Sequence, residues 1–382
     1  MTATHLHRSP SNQKDFEISQ KEEDTENHRM LSLSITRWLS REECAKRTIE
    51  QYPALLSHFQ KFCQTNPNHE NARYVLNILS NNFTLAYLEI LSESLHYLNT
   101  FNTTFQTEKP ILFSLKPEVE FLIRRFMGFY IEEKYISDSE DVFAFAHKNP
   151  RYFVPLDKLY LGLNASESIV ELKKKQTKDE IDTFLKTILS FYIQVVDEIK
   201  TRFHHVYSDN FYEIVRITDP NRQVACKTTT LSLVFTRFPY LRKYVDAEEA
   251  EREWRTYCFT ETFSDIWKKM IAANELDVGE YWNKVFLERN RFGKILFQYL
   301  PTVIRFLLIF PPSNAYTERI FSEHGLIKTD HRSCLKNSTV KSVISTKHGV
   351  KRHGGILNFE PTREMIEAKP KKREQKNSSA QK

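Results

Sequence analysis

The sequence predicts a mainly α-helical chain, and three observations carry that prediction. Glycine is scarce, 8 residues against 28 Phe and 17 Tyr in 382, so the punctuation that separates short strands is missing. Apolar residues recur at spacings of three and four through most of the chain, the period of helices buried on one side. Apolar residues make up 40% and aromatics 13%, enough for a sizeable core or for two domains.

Taken in order, residues 1–30 are polar, mixed in charge and poor in branched apolar side chains, the composition of a disordered tail. In "SREECAKRTIEQY", Ser40 and Glu43 have capping-box spacing, Ala45, Ile49 and Tyr52 follow on one face, and Pro53 ends or kinks the helix. Within 71–105, Leu88, Leu91, Leu95 and Leu98 form a stripe that predicts a bundle helix with these side chains in the core. Further helices are expected over 116–132, 179–204 and 280–309, with loops at "TEKPILF", "HKNPRYFVPLD" and "TDPNRQ". The run "KKKQTKDE" from Lys173 reads as an exposed approach to a helix, with a DNA-facing strip as the alternative. Pro311 and Pro312 stop one helix, and Ser313 or Asn314 can cap the next. No internal repeat of fixed period occurs.

Several function classes are disfavoured. The five cysteines, Cys44, Cys63, Cys226, Cys258 and Cys334, are odd in number and far apart, which argues against a disulfide framework and a structural zinc site and fits a reducing compartment. The longest apolar run, Val303–Phe310, is interrupted by Arg305 and falls far short of the roughly 18 residues that span a bilayer. The N-terminal "MTATHLHRSP" has no apolar signal core. Walker, Gly-x-Gly-x-x-Gly, His-Glu-x-x-His and Gly-x-Ser-x-Gly motifs are missing, and the histidines form no nucleophile–base pattern. No small-molecule ligand and no membrane association are expected. The net charge of +6 permits an acidic partner without requiring one.

One stretch carries more. In "PPSNAYTERIFSEHG", residues 311–325, Tyr316 and Ile320 share one side of the expected helix while Phe321 points elsewhere, which predicts a helix buried on more than one side. Glu318 falls on the remaining strip, with the small residues Ala315 and Ser322 beside it. A carboxylate with open space around it suits a metal ion. The simpler alternative is an acid in the first turn that favours the helix dipole or pairs with a base such as Arg319.

The longer stretch "IFPPSNAYTERIFSEHGLIKTDHRSCLKNSTVKSVISTKHG", residues 309–349, resembles the C-terminal dimerisation region of the hAT superfamily of DNA transposases. Far upstream, "TRWLSR" resembles the family's Arg-Trp motif, and "LSLVFTRFPYLRKYVDAEEAEREW" and "LDVGEYWNKV" sit where such proteins carry similar helices. The resemblance implies an RNase H-like nuclease interrupted by a helical insertion, with two Asp and one Glu holding divalent metal. Glu318 matches that Glu, and Trp38, next to Arg37, matches the Trp that lies near transposon-end DNA. The alternative for Trp38 is an anchor in the helical core.

The two Asp belong on strands before the Arg-Trp motif, whereas Asp15 and Asp24 sit in a polar segment without a strand pattern. Both aspartates, and the family's upstream zinc finger, are therefore expected to be missing. A hard cation held by one acid keeps its waters and is not positioned for in-line displacement. The expected fold is thus mainly α: a helical insertion domain of a hAT-type transposase over 31–290, then a C-terminal dimerisation region over 291–350 that is the remnant of an RNase H-like fold, then a basic disordered tail over 351–382. The expected function is non-catalytic, with Glu318 a remnant, no metal bound, and Mg²⁺ or Mn²⁺ relevant only if a complete site is supplied from elsewhere. Two alternatives stay open: a part of an active transposase whose finger and aspartates lie upstream, and a helical scaffold without a DNA role.

The partner expected first is a second copy. Ile320, Phe321, Leu326 and Ile327 point in several directions and need apolar cover, and Val340, Val343 and Ile344 form a second stripe that ends at Gly349 as a C-cap. A homodimer closes such a surface. Weak, non-specific DNA contact is expected from Lys328, His331, Arg332 and Lys336, with Arg37 and Trp38 as further candidates. Lys369, Lys371, Lys372 and Arg373 predict nuclear import; if they are only a solvated terminus, the chain is cytoplasmic.

Overall fold

The structure, a computed structural model, describes residues 2–7, 9–33, 40–221, 225–227 and 230–367. It is mainly helical. No β-strand occurs among the described residues, which contain two isolated antiparallel bridges, Ile131 with Phe153 and Arg289 with Ile295. The chain divides into two units, Met1–Ser313 and Asn314–Lys382.

The first unit opens with α1 (Thr2–His7), α2 (Pro10–Glu22), α3 (Ser40–Glu50), α4 (Tyr52–Thr65) and α5 (Glu70–Leu79). The disordered tail expected over 1–30 is instead two helices. Ser9 Oγ accepts the Asn12 N–H at 3.3 Å, and Pro10, lacking an N–H, opens α2 where none is needed. Leu6, Phe16 and Met30 are buried against Leu55 and Phe59 of α4 and Val75 of α5. Three well-spaced apolar residues suffice because their cover comes from α4 and α5, which the composition of residues 1–30 cannot reveal. Pro53 does separate two helices: α3 stops at Glu50, and Pro53 lies in the first turn of α4.

The bundle helix expected within 71–105 is α6 (Thr84–Phe105), which is parted from α5 at residues 80–83. There Asn81 Oδ1 accepts the Phe83 N–H at 2.9 Å, and Thr84 Oγ1 donates to Ile78 O at 2.5 Å. The leucine stripe is not the core face: Leu91 is exposed, Leu88, Leu95 and Leu98 are half-buried, and Ala86, Ile90 and Phe105 are buried. The reason is that α6 is covered on two sides, by α3 and by a later helix, which rotates the buried face away from a single stripe.

Next come α7 (Leu115–Met127), α8 (Glu133–Ser137), α9 (Leu163–Lys173) and α10 (Lys178–Arg202), with α9 supplying the second cover on α6. A capping box starts α10: Thr177 Oγ1 accepts the Glu180 N–H and Glu180 Oε2 accepts the Thr177 N–H at 2.8 Å. Its apolar face, with Phe184, Ile188, Tyr192 and Val196, joins Val119, Ile123 and Phe126 of α7 in the largest core.

The unit continues through α11 (His204–Ser208), α12 (Phe211–Val215), α13 (Ser232–Arg237), α14 (Ala247–Phe259), α15 (Thr262–Ala272), α16 (Val278–Leu287) and α17 (Leu300–Leu308). Another core holds Trp254, Tyr257, Tyr281, Trp282, Val303 and Leu307. Trp282 Nε1–H donates to Thr218 O at 2.8 Å. Glu253 begins α17, accepting the N–H groups of Gln298, Tyr299 and Leu300 at 2.8–2.9 Å. The helix expected over 280–309 is therefore α16 and α17 with residues 288–299 between them. Both share one core, so the boundary expected at 290 runs through packed side chains, and the division falls after Ser313.

The second unit holds α18 (Ala315–Ile327), α19 (Asn337–Arg352) and the short α20 (Arg363–Glu367). Gly349 is not a C-cap: α19 passes through it and ends at Gly354 and Gly355, whose φ of +83° and +92° take the left-handed conformation. Gly355 N–H closes the end by donating to Val350 O at 3.0 Å. No helix among the described residues is long and apolar enough to cross a membrane.

Candidate dimerisation surface

Local sequence sets α18 and α19 as a pair. Asn314 stands at the N-cap of α18 without a side-chain cap bond, and Ser313 Oγ donates instead to Phe105 O at 2.7 Å within the first unit. At the far end, Lys328 Nζ donates to Asn337 Oδ1 at 3.2 Å, tying the close of α18 to the opening of α19. Glu323 accepts from Lys347 Nζ at 3.2 Å and from His348 Nε2 at 3.1 Å. The Lys347 contact, followed by His348, holds the Glu323 carboxyl below its ordinary pKa. Tyr316 meets the His348 ring edge-on, with centroids 5.8 Å apart.

Apolar burial inside this unit is slight. The expectation that α18 is buried on several sides is overturned: none of its side chains is buried, Phe321 is 69% and Leu326 77% exposed, and Ile320 and Ile327 are half-buried. A helix that is apolar all round reads the same in sequence whether or not its cover lies in the same chain. On α19, Val343 is exposed and Ile344 half-buried, but Val340 is only 1% exposed. Val340 is thus already covered and leaves the set of surface contacts. Sequence reasoning missed Val350 and Ile356, which with Val343 form the apolar wall of a groove of about 760 Å³ rimmed by Lys347 and Lys351. The signal was available: Ile356 follows a Gly-Gly helix stop, where an apolar residue commonly folds back.

Glu318 is exposed in the first turn of α18, where an acid favours the helix dipole. Ser322 Oγ donates to the Glu318 carbonyl at 3.0 Å, so the small residue beside it bonds backbone and not carboxylate. Among the described residues, the possible ligand atoms that converge are those of Glu26, His28 and Glu50 in the first unit, and Glu318 is not among them. Lys328, His331, Arg332 and Lys336 gather in and around the turn between α18 and α19, with Arg332 and Lys336 exposed. Arg37 and Trp38 lie outside the described residues, as do Lys369, Lys371, Lys372 and Arg373.

No curated protein and no solved structure matches the chain. A family model does: residues 241–350 match the hAT family C-terminal dimerisation region. The match ends where the sequence placed the end of that region and starts about fifty residues earlier than expected, taking in α14 to α17 with their tryptophan-rich core. Such a region supports self-association. The likeness lies in residues 241–350 and supports an hAT-family, transposase-derived protein.

Proposed function

We propose that this is a transposon-derived, non-catalytic protein that self-associates through residues 309–350 and contacts DNA weakly and without sequence selection in the nucleus. One observation carries the self-association: within a region matched to a dimerisation region, Phe321 and Leu326 stand exposed on one helix and Val343 on the next. Side chains of this size forfeit about 1.5–3 kcal/mol each when left in water. A second copy offers the same surface, and a two-fold dimer closes it.

The non-catalytic reading rests on the sequence, where Glu318 is the one acid that matches the family's metal-binding trio, and two-metal chemistry needs several carboxylates about one site. Any sheet of an RNase H-like remnant would have to come from outside the described residues, which contain no strand. Weak DNA contact is supported by the exposed cations between α18 and α19. It should show a Kd of about 10⁻⁴ to 10⁻⁶ M at physiological salt and weaken steeply as salt rises. Anisotropy titrations of unrelated duplexes test this, and tight binding of one sequence that survives raised salt would refute it. Light scattering behind size exclusion tests the dimer, with a mass of about twice 45.3 kDa expected.

A further inference from the structure

Between α16 and α17 the chain crosses the surface as a short hairpin, residues 288–296. Leu296 N–H donates to Glu288 O at 3.0 Å and Asn290 N–H to Lys294 O at 2.9 Å, which pairs Arg289 with Ile295 in an antiparallel bridge. The tip is stitched further. Gly293 N–H donates to Asn290 O at 2.9 Å, Asn290 Oδ1 accepts the N–H groups of Phe292 at 2.9 Å and Lys294 at 3.1 Å, and Arg289 Nη1 donates to Gly293 O at 2.7 Å. Gly293 sits at φ +76°, the left-handed position that closes a short hairpin loop, and Asn is favoured at the first position of such a turn. Both legs are anchored, because Phe286 before the hairpin and Phe297 after it are buried in the same core.

This ordered tip holds Phe292 out in water, 79% exposed. A single exposed apolar residue is ordinary; its surroundings are not. The Arg291 guanidinium lies 4.9 Å from the Phe292 ring centroid. Arg289 and Lys294 are exposed in the same loop, with Glu288, half-buried at the base, as its acid.

We propose that this hairpin binds single-stranded nucleic acid, with an unpaired base stacked on Phe292 and the flanking phosphates taken by Arg291 and Lys294. Every base offers a π-face, so a rigid aromatic flanked by cations recognises the strand without reading sequence. A protein partner that buried Phe292 would also have to cover three cations, which the hairpin chemistry favours less. A duplex is disfavoured because its bases are already stacked and opening them costs energy. The site uses none of the residues of the turn between α18 and α19 and does not rest on self-association.

The test uses the full-length protein and a labelled oligothymidylate of about 20 nucleotides with 2-aminopurine at its centre. Phe292→Ala should weaken binding about 5- to 150-fold, the range found for one base–aromatic stack, and should abolish the change in 2-aminopurine emission. Phe292→Trp should retain both. Arg291→Ala with Lys294→Ala should lower the slope of log affinity against log salt by about 1.4, two phosphates at roughly 0.7 each for a single strand. These side chains are exposed, so melting temperature and light-scattering mass should not move, and a failed dimer reading is thereby distinguishable. The proposal is overturned if the wild type does not bind the strand, if Phe292→Ala binds and perturbs 2-aminopurine as the wild type does, or if duplex binds as well as single strand. It is likewise overturned, in favour of a protein contact, if Phe292→Ala changes only the light-scattering mass.

Discussion

Replacing Phe321 and Leu326 together by Asp should convert the proposed dimer to a monomer. In the single chain these side chains are 69% and 77% exposed, and full burial of either contributes about 1.5–3 kcal/mol. The exposed fractions leave about 1–2 kcal/mol available to association from each. A two-fold interface uses both residues twice, so the four side chains contribute about 4–9 kcal/mol. Losing the lower figure raises Kd by about a thousandfold, before counting the carboxylates that would have to leave water. Light scattering behind size exclusion over about 1–100 µM should give about twice 45.3 kDa for the wild type and half that for the variant. Far-UV circular dichroism of the variant should match that of the wild type diluted until it is monomeric, since both then lack the partner that orders α18 and α19. A wild type that is monomeric throughout, or a variant that stays dimeric, would refute the reasoning.

Three other outcomes are expected. Burial, with His5 close by, holds His58 down to about 4, against about 6.5 unfolded. The folded state then binds fewer protons, so this contribution is complete above pH 6.5 and falls by up to about 3 kcal/mol as pH drops towards 4; urea titrations across that window should show the loss, and His58→Phe should reduce it without removing it, because burial holds His147 down to about 4 as well. Incubation with DNA and Mg²⁺ or Mn²⁺ should give no cleavage above that of Glu318→Ala, and metal-dependent nicking that disappears in this variant would overturn the non-catalytic reading. Replacing Lys369, Lys371, Lys372 and Arg373 by Ala should move a fluorescent fusion out of the nucleus, and an unchanged distribution would refute the import role.

What could be read from sequence was whatever local chemistry decides. The helix over 179–204 was legible because Thr177, Glu180 and a long apolar period all act within one segment. Pro53 was legible as a break for the same reason. The helix of Phe16 was not, since its polar composition conceals a single anchor whose partners, Leu55 and Phe59, lie some forty residues on. Neither was the break before Thr84, which uses Ser and Asn and no Gly or Pro. The turn at Asn290–Gly293 carried its own signal but stood between two apolar runs that continue one another's period. Around Glu318 the apolar pattern predicted a helix buried on several sides, and that expectation fails because periodicity shows which side chains are apolar and not whether anything covers them: none on α18 is buried. His5, His58 and His69, scattered in sequence, meet with ring centroids 5.6–5.7 Å from His5, a grouping that only the packing of α1 on α4 and α5 creates.

The same missing cover bears on what self-association is for. Among the described residues of the second unit Val340 alone is buried. Helices of 13 and 16 residues are marginal by themselves in water. Of the ties between them, Lys347 and Asn337 are exposed while Glu323, His348 and Lys328 are half-buried, and partly solvated contacts of this kind contribute about 1 kcal/mol each. Apolar contact from outside the pair must therefore supply most of what keeps α18 and α19 helical. If a second copy supplies it, ordering the helices and joining the subunits are one equilibrium, and the ordering cost is subtracted from the affinity. The 4–9 kcal/mol worked out above is then shared between the two, which favours a dimer in the micromolar range over a tight one. It also makes the exposed face double in function: a substitution that polarises it removes the partner and, with the partner, the reason for these residues to fold.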